Sequence, residues 1–226
     1  MNVLSTVKNL ESLFKKSGFS LYFVCGSVLD FLLMNEFFDI DLVTDATPKE
    51  MREIIKDGDF TFEKFGFVKT HFEGYSFDIT TLRIEEDYID FRHPKSIRFT
   101  TKLDEDCRRR DFTINGLYMD TDLHVYDYVG GVNDLNNKVI KIIGEPIVRL
   151  KEDPLRIIRA IRFSLTYKFE IDDSLKVAMK ECTNLLDSLN PEKVKQDIHK
   201  IKNTSKEEIE KIFTEYNIQK YIDVIK

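Results

Sequence analysis

Tryptophan is absent from the 226-residue chain, and no low-complexity run or fixed-period repeat occurs in it. The absence of a repeat excludes a solenoid or propeller architecture. No apolar stretch of about 18 residues is present, so no membrane-spanning helix is expected. The first residues, "MNVLSTVKNLESLFKKSG", are interrupted by charges and lack an apolar core ahead of a cleavage site, so no signal peptide is expected. Cysteine is scarce: Cys25, Cys107 and Cys182 are far apart and odd in number. They form neither a metal-binding pattern nor a disulfide framework, which suits a reducing, cytoplasmic setting. A basic excess is also missing, since the net charge of −6 argues against a general nucleic-acid binder.

That charge is unevenly spread. Residues 1–146 carry 18 basic and 26 acidic side chains, and residues 147–226 carry 16 and 14. An acidic half can owe part of its excess to a metal site, and a basic half can face a polyanion; ordinary solvated surface accounts for the same numbers. What is present in quantity is apolar material, 42% of residues with 18 phenylalanines. That is enough for one large domain or two small ones.

The patterning changes once along the chain. Residues 5–17 place Val7, Leu10, Leu13 and Phe14 at helical spacing, ended by Gly18. "SLYFVC" reads as a buried strand, "SVLDFLLM" as a helix and "DIDLV" as a second strand. Thr47 and Pro48 predict a helix start, as N-cap and first helical residue. "FVKTHF" and "YSFDITTL" read as strands around a turn at Glu73-Gly74. The polar stretch containing His93-Pro94 reads as a loop. "LYMD" and "HVYDYV" read as further strands, and Gly130-Gly131 opens another turn. From about Pro146 only helical periodicity remains. The expected organisation is an α+β head over residues 1–145 and an all-helical neck over 146–226.

Three groups of residues carry chemistry. Asp39 and Asp41, one residue apart in a strand, leave the same face roughly 7 Å apart. Two such carboxylates can share divalent cations, and two metals about 4 Å apart can clamp a phosphoryl transfer. An adjacent antiparallel strand carrying Asp78 would add a third carboxylate. A D-x-D at a strand end is also a common solvated edge. What distinguishes this one is its context: strand, tight glycine turn, helix, then the D-x-D strand. That is the order of a nucleotidyltransferase palm, a mixed or antiparallel sheet with helices, in which backbone N–H groups at a turn such as Gly26-Ser27 hold phosphates.

The second group is "CRRRDFTINGLYMD". Arg108, Arg109 and Arg110 point in different directions, and a guanidinium fork suits phosphate oxygens. Asp111 can orient an arginine and Asn115 can bond a ribose. A surface salt-bridge cluster with Asp104, Glu105 and Asp106 explains the same residues.

The third group is "EDPLRIIRAIRFSLTYKF". Pro154 fits a first helical turn capped by Glu152 or Asp153. Asp153, Arg156, Arg159 and Arg162 recur every three residues in one drifting stripe, beside an apolar stripe of Leu155, Ile158, Ile161 and Leu165. A carboxylate beside an arginine can pair with cytosine or adenine. Guanine and uracil present a carbonyl where the carboxylate needs a donor, at a cost of several kcal/mol, that is, roughly 1–3 per unsatisfied group. An intrahelical ion-pair ladder is the plain structural alternative.

Taken in order, these segments resemble class II tRNA nucleotidyltransferases (CCA-adding enzymes) and the related bacterial poly(A) polymerases. "CGSVLD" resembles G-G-x-V-R-D. "DIDLVTDATPKEM" resembles D-[IV]-D-x-x-T-x-A-x-P. "DITTLRIEEDYIDFRHPKSIRF" is similar to the third-carboxylate strand and flexible loop. "RRDFTINGLYMD" is similar to R-R-D-F-T-I-N-A, and "DYVGGVNDL" to D-x-x-G-G-x-x-D-L. "EDPLRIIRAIRF" matches E-D-x-x-R-x-x-R-A-x-R-F at every fixed position. The resemblance implies that Asp39 and Asp41 hold Mg²⁺ with Asp78 as third carboxylate, and that Gly26 admits the triphosphate. It implies that Arg110 touches the nucleotide, with Asp111 and Asn115 near the sugar. Asp153 and Arg156 then pair with the base of ATP or CTP, and Arg159 and Arg162 support the nucleotide or its phosphates. An RNA 3′-hydroxyl, most readily that of tRNA, would attack the α-phosphate and expel pyrophosphate.

The sequence departs from the family pattern at Cys25 for the first turn glycine, Leu29 for an arginine near the nucleotide, Gly116 for an alanine and Lys193 for an arginine. "IFTEYNIQKYIDVI" resembles the segment that closes the neck, and the family's body and tail domains have no counterpart within the 226 residues. The near-complete loop at 83–98 favours A or full CCA addition, because CC-only members shorten it. Poly(A) addition is the alternative within the class. A weakened nucleotide-binding module, whose partner protein or oligomer supplies RNA binding, is the alternative outside it. Leu29 and the acidic charge favour that module; the Asp39/Asp41 pair and the base-reading helix oppose it.

Overall fold

A computed structural model describes residues 3–35, 40–88 and 94–224. Asp39 therefore lies outside the described residues. The chain begins with α1 (Val3–Lys16), whose Val7, Leu10 and Phe14 are buried as one apolar stripe. β1 (Leu21–Val24), α2 (Gly26–Leu32) and β2 (Ile40–Thr44) follow. α3 (Pro48–Ile54) starts where the sequence predicts. The Thr47 hydroxyl accepts from the Glu50 N–H, and the Glu50 carboxylate accepts from the Thr47 N–H at 2.7 Å. This capping box satisfies two donors that a helix start leaves open.

β3 (Gly58–Asp59), β4 (Phe67–Phe72) and β5 (Tyr75–Thr81) come next. The hairpin between β4 and β5 turns on Glu73 and Gly74, both at positive φ (48° and 85°), which a tight two-residue turn requires. β6 (Arg83–Tyr88) and β7 (Pro94–Phe99) then pair as a separate two-stranded sheet. This corrects the loop expected around His93-Pro94, of which residues 89–93 are outside the described residues. The flanking segments pair through their backbones. Their many charges hide the apolar alternation by which a strand is normally read.

The remaining elements are α4 (Leu103–Asp106), β8 (Tyr118–Met119), β9 (Val125–Tyr126), α5 (Gly131–Asn136), β10 (Val139–Ile140), α6 (Pro146–Glu152), α7 (Leu155–Tyr167), β11 (Glu170–Ile171), α8 (Asp173–Cys182), α9 (Pro191–Ile198) and α10 (Lys206–Glu215). Beyond Pro146 the elements among the described residues are helical except for β11, which pairs in parallel with β10. A two-residue strand is too short to leave a periodic signal.

The described residues form two compact units. A sheet unit runs from α1 to Glu86 and adds Ser96–Arg110 and Ile114–Gly131. A helical unit gathers Asp111–Thr113, the described part of Asp87–Lys95, and the chain from Val132 onward. The sheet unit is built on seven strands in the order β3-β4-β5-β2-β1-β8-β9. β2 is antiparallel to β1 but parallel to β5, so the sheet is mixed. The parallel pairing corrects the antiparallel neighbour expected for Asp78. The connection from β2 to β5 passes through α3, β3 and β4, long enough for a crossover. In the helical unit Ile157, Ile158 and Ile161 of α7, Met179 of α8, Val194 of α9 and Phe213 of α10 are fully buried.

Candidate active site

In the sheet unit, the backbone ladder places the carboxylates. Asp41 of β2 and Asp78 of β5 are register partners. Register partners share a face, so both side chains leave the same side of the sheet. Their neighbours Leu42, Phe77 and Ile79 are fully buried, which fixes that register against a one-residue slip. On the far side of β5, Lys69 of β4 is the register partner of Asp78. Its ammonium donates to both Asp78 carboxylate oxygens, at 2.9 and 3.1 Å. Asp41, Asp78 and Lys69 thus stand abreast on three strands. Sequence reasoning did not identify Lys69, because nothing in "FVKTHF" signals its partner.

The turn that precedes this row is tied to it. The buried Ser27 hydroxyl accepts from the Asp41 N–H at 2.8 Å, joining the start of α2 to the carboxylate strand. A Cβ built on Gly26 would stand 4.0 Å from Asp41 Oδ2, an ordinary contact, so the turn lies directly beside that carboxylate. Cys25, in the position of the family's first glycine, has φ 52° and ψ −128°. That is backbone glycine adopts freely, and it costs other residues about 1–3 kcal/mol. The Cys25 thiol lies 2.7 Å from Arg110 Nη1. Leu29 is fully buried, so the position given to an arginine by resemblance is a core position here.

The arginine cluster centres on Asp106, whose side chain is fully buried. It accepts from the Arg83 N–H at 2.9 Å, Arg109 Nε at 2.8 Å, Arg110 Nη2 at 2.7 Å and the Tyr118 hydroxyl at 2.7 Å. Burial pushes the Asp106 carboxyl up, but the Arg109 and Arg110 guanidiniums outweigh it and hold the group well below the usual carboxylate range. Burial also drives the Tyr118 phenol above its ordinary value. Arg109 and Arg83 both reach Glu85 on β6. The surface cluster considered from sequence is therefore a buried hub at Asp106. Asn115, also buried, belongs to the sheet unit, whereas Asp111 belongs to the helical unit although it follows Arg110 directly.

In the helical unit, other side chains place the arginines. Asp153 Oδ1 accepts from the Leu155 N–H at 3.1 Å, but Pro154 holds the N-cap position of α7, so neither expected residue does; Glu152 ends α6 and Asp153 is its C-cap. Buried Arg156 donates from Nη1 to the Arg149 carbonyl at 2.6 Å and to Glu152 Oε2 at 3.1 Å. Glu152 also holds Arg149. Arg159 Nε donates to Asp111 Oδ2 at 2.6 Å, while Asp111 Oδ1 accepts from the Phe112 N–H. Arg162 pairs with Asp197 of α9. Burial, with the like charge of Arg159, pulls the Arg162 guanidinium below its ordinary value. Asp197 and Arg149 were not found from sequence; each is a single charged residue whose partner is set by helix packing.

The chemistry of the sheet-unit row fits a divalent cation: two carboxylates on one face beside a glycine turn. Among the described residues no group of three or more His, Cys, Asp or Glu side chains is placed to hold a metal. Also among the described residues, no helix is long and apolar enough to cross a membrane.

The family model for the Poly A polymerase head domain matches residues 21–141. The chain is 38% identical over 201 residues to a CCA-adding enzyme of Lactobacillus helveticus, covering 89% of this chain and 49% of that protein. It is 40% identical over 184 residues to one of Bacillus pumilus, covering 81% and 46%. Its fold superimposes on the crystal structure of the Bacillus stearothermophilus CCA-adding enzyme in complex with CTP with a TM-score of 0.81 at 28% identity, covering 89% of this chain and 49% of that one. The chain spans about half the length of the curated relatives it matches.

Proposed function

Because the chain belongs to the Poly A polymerase head domain family, we propose that it serves a nucleotidyltransferase that adds C and A to tRNA 3′ ends from CTP and ATP, releasing pyrophosphate. The observation that carries this reading is the register of Asp41 with Asp78 beside the Gly26 turn. With Asp39, these residues would hold Mg²⁺. The cation supplies Lewis-acid activation of the RNA 3′-hydroxyl and neutralises charge on the phosphates. Gly26 leaves room for the triphosphate, and the Ser27 hydroxyl keeps the Asp41 backbone fixed while charge changes around it.

The helical unit supplies selection. Asp153 offers a carboxylate to an exocyclic amine, and Arg156 donates to the neighbouring ring acceptor. Glu152 and the Arg149 carbonyl hold Arg156 in place, so its orientation is set before the nucleotide arrives. Such preorganisation lets one site reject uracil and guanine by leaving its polar groups unpaired. Asp111 fixes Arg159 and Asp197 fixes Arg162 in the same way. Both arginines support the nucleotide.

The test is incorporation of labelled CTP or ATP, with Mg²⁺ at low salt, into tRNAs ending before, within or after the CCA sequence. The reading predicts C added before A and no addition past a complete CCA end. A run of A on any end would instead indicate a poly(A) polymerase. Absence of incorporation on every end, at high protein concentration, would contradict the proposal.

A further inference from the structure

We propose that Lys69 is a positioning residue of the carboxylate row, an internal competitor that weakens divalent-cation binding by pairing with Asp78. The inference rests on the reading of Asp41 and Asp78 as metal-holding groups. Three observations carry it. First, Lys69, Asp78 and Asp41 occupy matched positions on β4, β5 and β2, so the ladder fixes them side by side on one face. Second, the ammonium contacts both Asp78 oxygens, the atoms a cation would use. Third, the pair is open to solvent, with side-chain exposures of 56% and 35%. Lys69 also lies over the Phe67 ring, 5.5 Å from its centroid, but a solvent-exposed ion pair adds little to folding stability, so what Lys69 gains from pairing with Asp78 is small in folding terms. Its charge acts on the cation instead. A divalent ion feels a neighbouring unit charge twice as strongly as a monovalent one does.

The consequence is a site that fills only when cation is plentiful. An arriving cation must separate Asp78 from Lys69, or bind with Asp78 already neutralised. Either route raises the cation concentration needed for occupancy. Neutralisation also predicts a specific non-additivity. Removing the Asp78 charge costs little while Lys69 is present, and much once Lys69 is gone.

The experiment is Mn²⁺ titration of the 226-residue chain without nucleotide, followed by electron paramagnetic resonance of free Mn²⁺. Lys69→Met should bind Mn²⁺ about tenfold more tightly than wild type, the scale of one unit charge acting on a divalent ion across a few ångströms of solvated surface. Lys69→Arg should keep the wild-type affinity. Asp78→Asn should change affinity less in wild type than in the Lys69→Met background. An unchanged or weaker Lys69→Met titration, with binding still lost in Asp41→Asn, overturns the role of Lys69 and leaves the metal reading standing. Wild-type binding in Asp41→Asn overturns the metal reading itself.

Discussion

The sheet unit and the helical unit place their functional side chains by different means. Asp41 and Asp78 are held by a backbone ladder whose register is fixed by buried Leu42, Phe77 and Ile79. Arg156, Arg159 and Arg162 are held by other charged side chains: Glu152, Asp111 and Asp197. In the first arrangement a carboxylate can be changed while the scaffold stays as it was. In the second, removing one partner leaves a largely buried charge uncompensated, so chemistry and stability change together. On the proposed reading, the difference separates turnover from architecture in one unit and fuses selection with architecture in the other.

The sharpest break of that comparison is Asp41→Asn. Turnover should fall by about 10³-fold or more, the scale of removing a preorganised transition-state contact. Stability in urea should stay within about 0.5 kcal/mol, as for a substitution outside the core. A large loss of stability would show that Asp41 is architectural after all.

Asp106 sharpens the contrast from within the sheet unit, where it is placed as the helical arginines are. Asp106→Asn leaves buried Arg109 and Arg110 short of a counter-charge and should cost about 3 kcal/mol of unfolding free energy. The sign of its pH dependence follows from the depressed folded-state carboxyl. Its contribution is fully present above the unfolded value of about 3.9 and is lost as pH falls below it. Wild-type stability should therefore drop between about pH 4 and pH 2 more steeply than that of Asp106→Asn. Parallel slopes would contradict the hub.

Arg162 and Asp197 give a smaller effect. A double-mutant cycle with Arg162→Met and Asp197→Ala should show a coupling of about 1–2 kcal/mol, because both side chains are largely buried. The smallest effect belongs to Cys25. Its positive φ makes glycine the better small residue, so Cys25→Gly should be about 1 kcal/mol more stable than Cys25→Ala in urea. Equal stabilities would mean that the turn relaxes.

Legibility from sequence follows the same division. Thr47, Pro48 and the Glu73-Gly74 turn were readable because capping and tight turns depend on a few adjacent residues. The α7 stripes were readable because helical period sorts residues onto faces. The parallel direction of β5 was not, because strand direction depends on the whole crossover from β2. Lys69, Asp106 and Asp197 were missed or misplaced for one reason: each acquires meaning from a partner that pairing or helix packing brings to it. Cys25 and Leu29 read as losses in a list of motifs. In the fold, one is a strained turn residue against Arg110 and the other is core.

On the proposed reading, the carboxylate row performs the transfer and Arg156 selects the base. The decisive experiment is single-turnover incorporation of each of the four labelled nucleoside triphosphates, separately, into tRNA lacking its CCA end and into tRNA ending in CC. It would compare wild type, Asp41→Asn and Arg156→Ala. Wild type should incorporate C on the first end and A on the second, Asp41→Asn should lose incorporation with all four nucleotides, and Arg156→Ala should keep residual incorporation with weakened preference against U and G. Undiminished turnover in Asp41→Asn, or wild-type base preference in Arg156→Ala, would contradict it.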